Sequence, residues 1–258
     1  MAQQPPIRRQ FIWNNSMNKK ALCLSIVLVA LVVSGCGLID YYYLPLPEDT
    51  AQELFENGRE AMHEEVYYRA AEYFEKLKDR YPFSPYTPMA EIGLGDAYFL
   101  NEDYLEAVDA YKEFLALHPR HEEVPYVLFQ IGVASYLSFT SIDRPQDQVA
   151  EGIQFFRQLK ELYPETDYAA NADDYITRCR QILAEREIFV GDFYWSASKY
   201  RSAWKRYQFV VDNFPDLEEA NAYATRQAEL SYLRFQRSQT EEEQDRLYGS
   251  WTDWFNWL

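Results

Sequence analysis

Glycine is scarce in this chain, with nine in 258 residues, and cysteine and histidine number three each. So few glycines argue against a large α/β enzyme rich in phosphate-binding loops, and no GxGxxG, P-loop, GxSxG or HExxH pattern occurs. Three cysteines exclude a disulfide scaffold. Basic charge is also short, 25 Lys and Arg against 41 Asp and Glu, for a net charge of -16. A nucleic-acid binder needs cations to displace counterions from phosphates, so this balance disfavours one. No run of alternating apolar and polar residues marks a strand. What the chain does have is apolar and aromatic content, 48% and 17%, enough to build a sizeable core and too much for general disorder.

The ends differ from the middle. Residues 1–35 carry Arg8, Arg9, Lys19 and Lys20 and no acidic residue. Lys19 and Lys20 precede thirteen residues, Ala21 to Val33, that are apolar apart from Ser25. As a helix they rise about 20 Å, short of a ~30 Å hydrocarbon core, and so fit the h-region of a secretory signal. Val33-Ser34-Gly35-Cys36 follows, which resembles the lipobox of bacterial lipoproteins. On that reading Cys36 is the first mature residue and carries covalent diacylglycerol and an N-acyl chain, with no other cofactor expected. Met17 makes a cleaner start than the first residue, and Gly37 favours outer-membrane sorting. Cleavage leaves 21 basic against 41 acidic residues, a net charge of -20. It also leaves Cys179 as the one unmodified thiol, expected to pack between helices.

From Ala51 onward, apolar helical patterns alternate with tripeptides ending in proline: Arg80-Tyr81-Pro82, Leu117-His118-Pro119, Leu162-Tyr163-Pro164 and Asn213-Phe214-Pro215. Proline stops a helix because it lacks the N–H and clashes with the preceding turn. Counting back from each proline exposes a repeat. Gly58, Gly95 and Gly191 stand 24 residues before theirs; Ala70, Ala107, Gly152 and Ala203 stand 12 before; Phe74, Tyr111, Phe156 and Tyr207 stand 8 before. This resembles the tetratricopeptide repeat, in which small residues sit where two antiparallel helices cross and aromatics fill the space beside them. In the third unit Gly132 lies 32 residues before Pro164, which predicts an extended loop around Asp143-Arg144-Pro145-Gln146. Tyr168 to Val190 reads as one long helix, and a fifth unit with a diverged second helix begins near Glu218. The expected fold is all-α, a tetratricopeptide superhelix of about five helix pairs over 51–236. It follows a tether at 36–50 and precedes an acidic, then Trp-rich, tail at 237–258. Trp251, Trp254 and Phe255 share one face of that tail, suited to a membrane interface or a partner groove.

Lipobox, repeats and the stretches His118–Tyr136, Asp143–Gln148, Tyr168–Trp195 and Tyr207–Asp216 together resemble the BamD (ComL/YfiO) family of outer-membrane assembly lipoproteins. The resemblance implies a lipid-anchored subunit on the periplasmic face of the outer membrane, part of the β-barrel assembly machinery. It implies C-terminal repeats that contact a POTRA domain of the barrel-forming subunit BamA, with Arg206 as the partner-facing arginine. N-terminal repeats would recognise unfolded outer membrane proteins. Accessory lipoproteins are implied less firmly, because Asp143-Arg144-Pro145-Gln146 departs from the family's usual loop. A tetratricopeptide lipoprotein of another envelope system, such as a pilotin, is the alternative.

No clustered nucleophile, base or metal set is visible, so the chain reads as a non-enzyme. His118 and His121 flank one turn, and lack acidic or cysteine partners at ligand spacing. For peptide binding, the candidate groove residues are Tyr67, Tyr68, Tyr98, Phe99 and Tyr136, whose rings offer apolar faces and hydroxyls to an extended segment.

Overall fold

A computed structural model describes residues 49–248, together with Leu24 and Val27, which are helical and exposed. The chain divides into two units, Met1–Asp49 and Thr50–Leu258, and every helix named below belongs to the second. These are α1 (Ala51–His63), α2 (Tyr67–Arg80), α3 (Thr87–Leu100), α4 (Tyr104–Leu117), α5 (Val124–Leu137), α6 (Asp147–Leu162), α7 (Asp167–Ser196), α8 (Tyr200–Asn213) and α9 (Glu218–Tyr248). No strand occurs among the described residues. None of these helices is long and apolar enough to cross a membrane.

Local chemistry sets the boundaries. Thr50 and Glu53 close a reciprocal capping box on α1. The second helix of each pair ends at the residue before proline: Tyr81, His118, Tyr163 and Phe214 share φ near -130° and ψ near 53°. A following proline disfavours the helical region there, and each of these residues still donates its N–H to the carbonyl four residues back. The turns inside three pairs close differently. Glu65, Glu102 and Ser198 adopt φ of 60°, 66° and 58°, each at the same place in its repeat. The next residues, Val66, Asp103 and Lys199, donate to Ala61, Tyr98 and Tyr194 carbonyls five residues back, the wrap-around bond of a left-handed helix cap.

Within each pair the repeat glycine faces the repeat aromatic. A Cβ placed on Gly58, Gly95, Gly132 or Gly191 would fall inside 3.0 Å of the Phe74, Tyr111, Phe156 or Tyr207 ring respectively. The glycine is therefore the socket of the aromatic, which is how the two helices approach closely. All four rings are essentially sealed from solvent, at 0–2% exposure.

Three core clusters run along the repeats. The first joins α1, α2 and α3, the second joins α3 to the start of α7, and the third joins the end of α7 to α8 and α9. The 30-residue α7, about 45 Å long, supplies Ala172 and Cys179 to the second and Ala184 to the third. One helix thus links two cores without a break, and Cys179 packs as expected, buried and free, with burial pushing its thiol up to about 12.

The C-terminal end differs from the sequence expectation. The fifth unit has no separate second helix among the described residues: α9 runs unbroken past Gln236 to Tyr248, since no Gly or Pro interrupts it. The segment that read as an acidic tail from residue 237 therefore begins as helix. The insertion in the third unit is a loop from Ser138 to Gln146, as its spacing predicted, pinned by Gln146 Nε2 donating to the Ser141 and Arg144 carbonyls.

Candidate functional site

A cleft of about 180 Å³ opens where the first two pairs meet. The start of α2 supplies Tyr67, Tyr68, Ala71, Glu72 and Glu75; the end of α3 supplies Ala97, Tyr98 and Asn101; Asp103 completes it at the start of α4. The left-handed turn at Glu102 brings Asp103 back over α3, where it accepts from Asn101 Nδ2 at 2.6 Å. Tyr68 is 58% exposed, and Tyr67 and Tyr98 are half-buried. Burial, then the nearby Glu75 carboxylate, pushes the Tyr98 phenol above its usual range. Three of the five candidate groove residues therefore share one opening. Tyr67 and Tyr68 stand on the second helix of their pair, so the opening lies between α2 and α3 and does not run along first helices alone.

The other two lie elsewhere. Phe99 packs edge-on to Tyr104, 5.6 Å between centroids, as part of the central core. Tyr136 packs edge-on to Tyr175 of α7 at 5.7 Å. Neither lines the cleft.

Arg206 lies on the exposed side of α8, where its guanidinium donates to both oxygens of Glu187 on α7 at 2.9 and 3.3 Å. Its side chain is 46% exposed against 21% for Glu187, so the pair orients a cation that still faces solvent. A larger cleft of about 440 Å³ lies between α8 and α9, lined by Trp204, Gln208, Val211, Thr225, Ala228, Glu229 and Tyr232. The Trp204 and Tyr232 rings meet at 5.0 Å. Sequence reasoning passed over this cleft, although a signal was there. Eleven residues before the repeat prolines stand Ala71, Val108 and Ile153, all buried, whereas the fourth unit places Trp204 there. Trp204 is only half-buried there and lines the cleft.

Buried polar contacts tie the units together. Asp96 accepts from Tyr111 in its own pair and from Tyr126 in the next, both at 2.6 Å. Asp192 repeats the arrangement with Tyr207 at 2.6 Å and Tyr223 at 2.9 Å. Each aspartate follows a socket glycine, whereas the first and third units carry Arg59 and Val133 there and phenylalanines opposite. His118 has an acidic partner after all: the fold brings Glu91 of α3 to 2.8 Å from its Nε2, a pairing that sequence spacing could not show. The contact is short but not aligned as a hydrogen bond. Burial holds the Glu91 carboxyl above its ordinary range, and His118 opposes that shift. His121 accepts from the Glu123 N–H at 3.2 Å and packs edge-on to Phe114. Both histidines are loop contacts.

Against this geometry the comparisons are specific. Residues 47–247, which take in all but one residue of the nine-helix array, match the YfiO family, described as an outer membrane lipoprotein. The chain belongs to that family. Among similar proteins, the outer membrane protein assembly factor BamD of Rickettsia prowazekii is 27% identical over 199 residues, covering 77% of this chain and 78% of its own. BamD of Vibrio cholerae is 26% identical over 185 residues, 68% and 77% of the two chains. BamD of Neisseria meningitidis serogroup A is 23% identical over 244 residues, 90% of each chain. These relatives are named as assembly factors and not as enzymes. Cys36 and the aromatic tail from Trp251 onward lie outside the described residues.

Proposed function

We propose that this YfiO-family protein is a scaffold of the β-barrel assembly machinery, lipid-anchored through Cys36 and facing the periplasm. In this role it binds the POTRA region of a BamA-like barrel protein at its C-terminal repeats and unfolded outer membrane proteins at its N-terminal repeats. Accessory lipoproteins of the complex are further partners. The observation that carries the reading is the family match over nearly the whole helical array, with relatives named as outer membrane protein assembly factors. The geometry is in keeping with two separate docking regions. The α8–α9 end offers an aromatic cleft on the helix that carries Arg206, and the α2–α3 cleft offers tyrosines at a solvent opening.

Nothing in this role requires bond chemistry by the protein. A client strand has unpaired backbone groups and alternating side chains, so it gains from a fixed surface with aromatic faces and hydroxyls. Photo-crosslinking residues placed at Tyr67 and at Tyr98 in cells making outer membrane proteins are expected to capture unfolded barrel polypeptides, with a probe at exposed Phe193 of α7 as the background control. Capture at Phe193 equal to that at the cleft, or none at the cleft, would contradict the assignment of client binding to this end.

A further inference from the structure

The α2–α3 cleft is both aromatic and anionic. Three tyrosines line it with Glu72, Glu75 and Asp103, and no lysine or arginine lines it. Among the described residues Glu72 and Glu75 make no ion pair, and both are exposed at the opening. Two cations border the cleft, and each lies against a carboxylate outside it. Lys78 donates to Glu113 at 2.9 Å, and Arg69 lies 3.9 Å from Glu64. A neutral apolar strand placed here would partly desolvate carboxylates and give them no partner, which costs affinity. A cationic side chain meets ring faces and carboxylates together, and each contact is stronger for being partly shielded from water.

We propose that this cleft selects a basic side chain, arginine or lysine, within an extended polypeptide segment, the tyrosine rings flanking its stem and Glu72, Glu75 and Asp103 receiving its charged head. The occupant is thus one residue of a client strand, and the rest of that strand is held by other contacts. The inference rests on the client-binding role of this end and adds the chemistry of its selection. Size agrees, because about 180 Å³ accommodates one long side chain and not a folded element. Long basic side chains also suit such a site by their form, as their methylene stems lie along apolar surface while the head stays at the polar edge.

The test uses the full-length chain in detergent and three fluorescent peptides of identical extended, aromatic-containing sequence. The peptides carry arginine, glutamine or glutamate at one central position, and anisotropy reads the affinity. The arginine peptide is expected to bind about tenfold more tightly than the glutamine peptide, with the glutamate peptide weakest. Glu72→Gln with Glu75→Gln and Asp103→Asn should abolish that preference and leave glutamine-peptide binding in place. Glu122→Gln with Glu161→Gln and Glu165→Gln removes the same charge from exposed positions away from the cleft and should leave the preference intact. If both triple variants reduce the preference alike, the chain's overall acidity is responsible and the selection at the cleft is overturned. If arginine and glutamine peptides bind equally and Tyr98→Ala weakens both, the client site stands and the cation selection falls. If no peptide binds, or Tyr67→Ala and Tyr98→Ala change nothing, client binding at this cleft falls and the selection with it.

Discussion

Phe156→Ala lowers the unfolding free energy by about 3–5 kcal/mol, the range for deleting a sealed aromatic from a core. Phe156 has no exposure, packs edge-on to Phe129 at 5.8 Å and stacks on Tyr175 at 5.5 Å, so neighbours hold the vacated space open. The converse change tests the socket. Gly132→Ala places a methyl group inside the contact distance of the Phe156 ring, and that ring is braced from two sides. In an ordinary helix position this substitution would stabilise by about 0.5–1 kcal/mol through helix propensity. Overpacking costs about 1–3 kcal/mol, so the clash decides the sign and Gly132→Ala destabilises. Combining Gly132→Ala with Phe156→Leu should relieve part of the clash, and the loss should fall short of the sum of the singles by about 1 kcal/mol. Urea titration followed by circular dichroism measures all four variants, Phe156→Ala, Gly132→Ala, Phe156→Leu and the pair. A stabilising Gly132→Ala, or strict additivity in the pair, would show that helix contact in the third unit does not depend on the glycine socket.

On the proposed lipid anchoring, Cys36→Ala expressed behind a signal peptide that is cleaved without lipidation is expected to release the chain from the membrane. Each buried methylene of an acyl chain contributes about 0.8 kcal/mol, and one myristoyl-length chain gives only marginal, reversible binding, so stable anchoring depends on several chains at one residue. Without them a chain cleaved before residue 36 would carry a net charge of -20 and be repelled by anionic head groups. Cell fractionation should show the ratio of membrane-bound to soluble protein falling by more than roughly a hundredfold for Cys36→Ala. Retention of Cys36→Ala in salt-washed membranes would place the anchor elsewhere, and Trp251, Trp254 and Trp257 would be the first residues to change next.

How much of this was legible in the sequence depends on what each residue type reveals. Proline after an aromatic fixed four helix ends because its effect is local and obligatory, and the glycine-to-aromatic spacing showed the pairing because only glycine fits the crossing. The left-handed residues at Glu65, Glu102 and Ser198 were invisible, since these types give no sign of positive φ and the surrounding bonds impose it. The repeat domain reads as ending near Gln236, where the composition turns acidic, although composition without Gly or Pro does not end a helix. At the candidate site, tyrosines at helix ends marked an aromatic surface, but only packing separates Tyr67, Tyr68 and Tyr98 in the cleft from Phe99 and Tyr136 against other helices. The Glu91–His118 contact joins positions far apart in the chain, where spacing carries no information, whereas the Trp204 cleft left a trace only as a bulky residue at a repeat position otherwise held by Ala71, Val108 and Ile153.

The most direct test of the scaffold role is affinity purification of the full-length chain from detergent-solubilised outer membranes, with the co-purifying proteins identified by mass spectrometry. A barrel protein carrying POTRA domains should co-purify in near-equal amount and be depleted by Arg206→Glu, a change at an exposed position that leaves the helical circular dichroism unaltered. Recovery of secretin or pilus components in place of such a barrel protein would contradict the account.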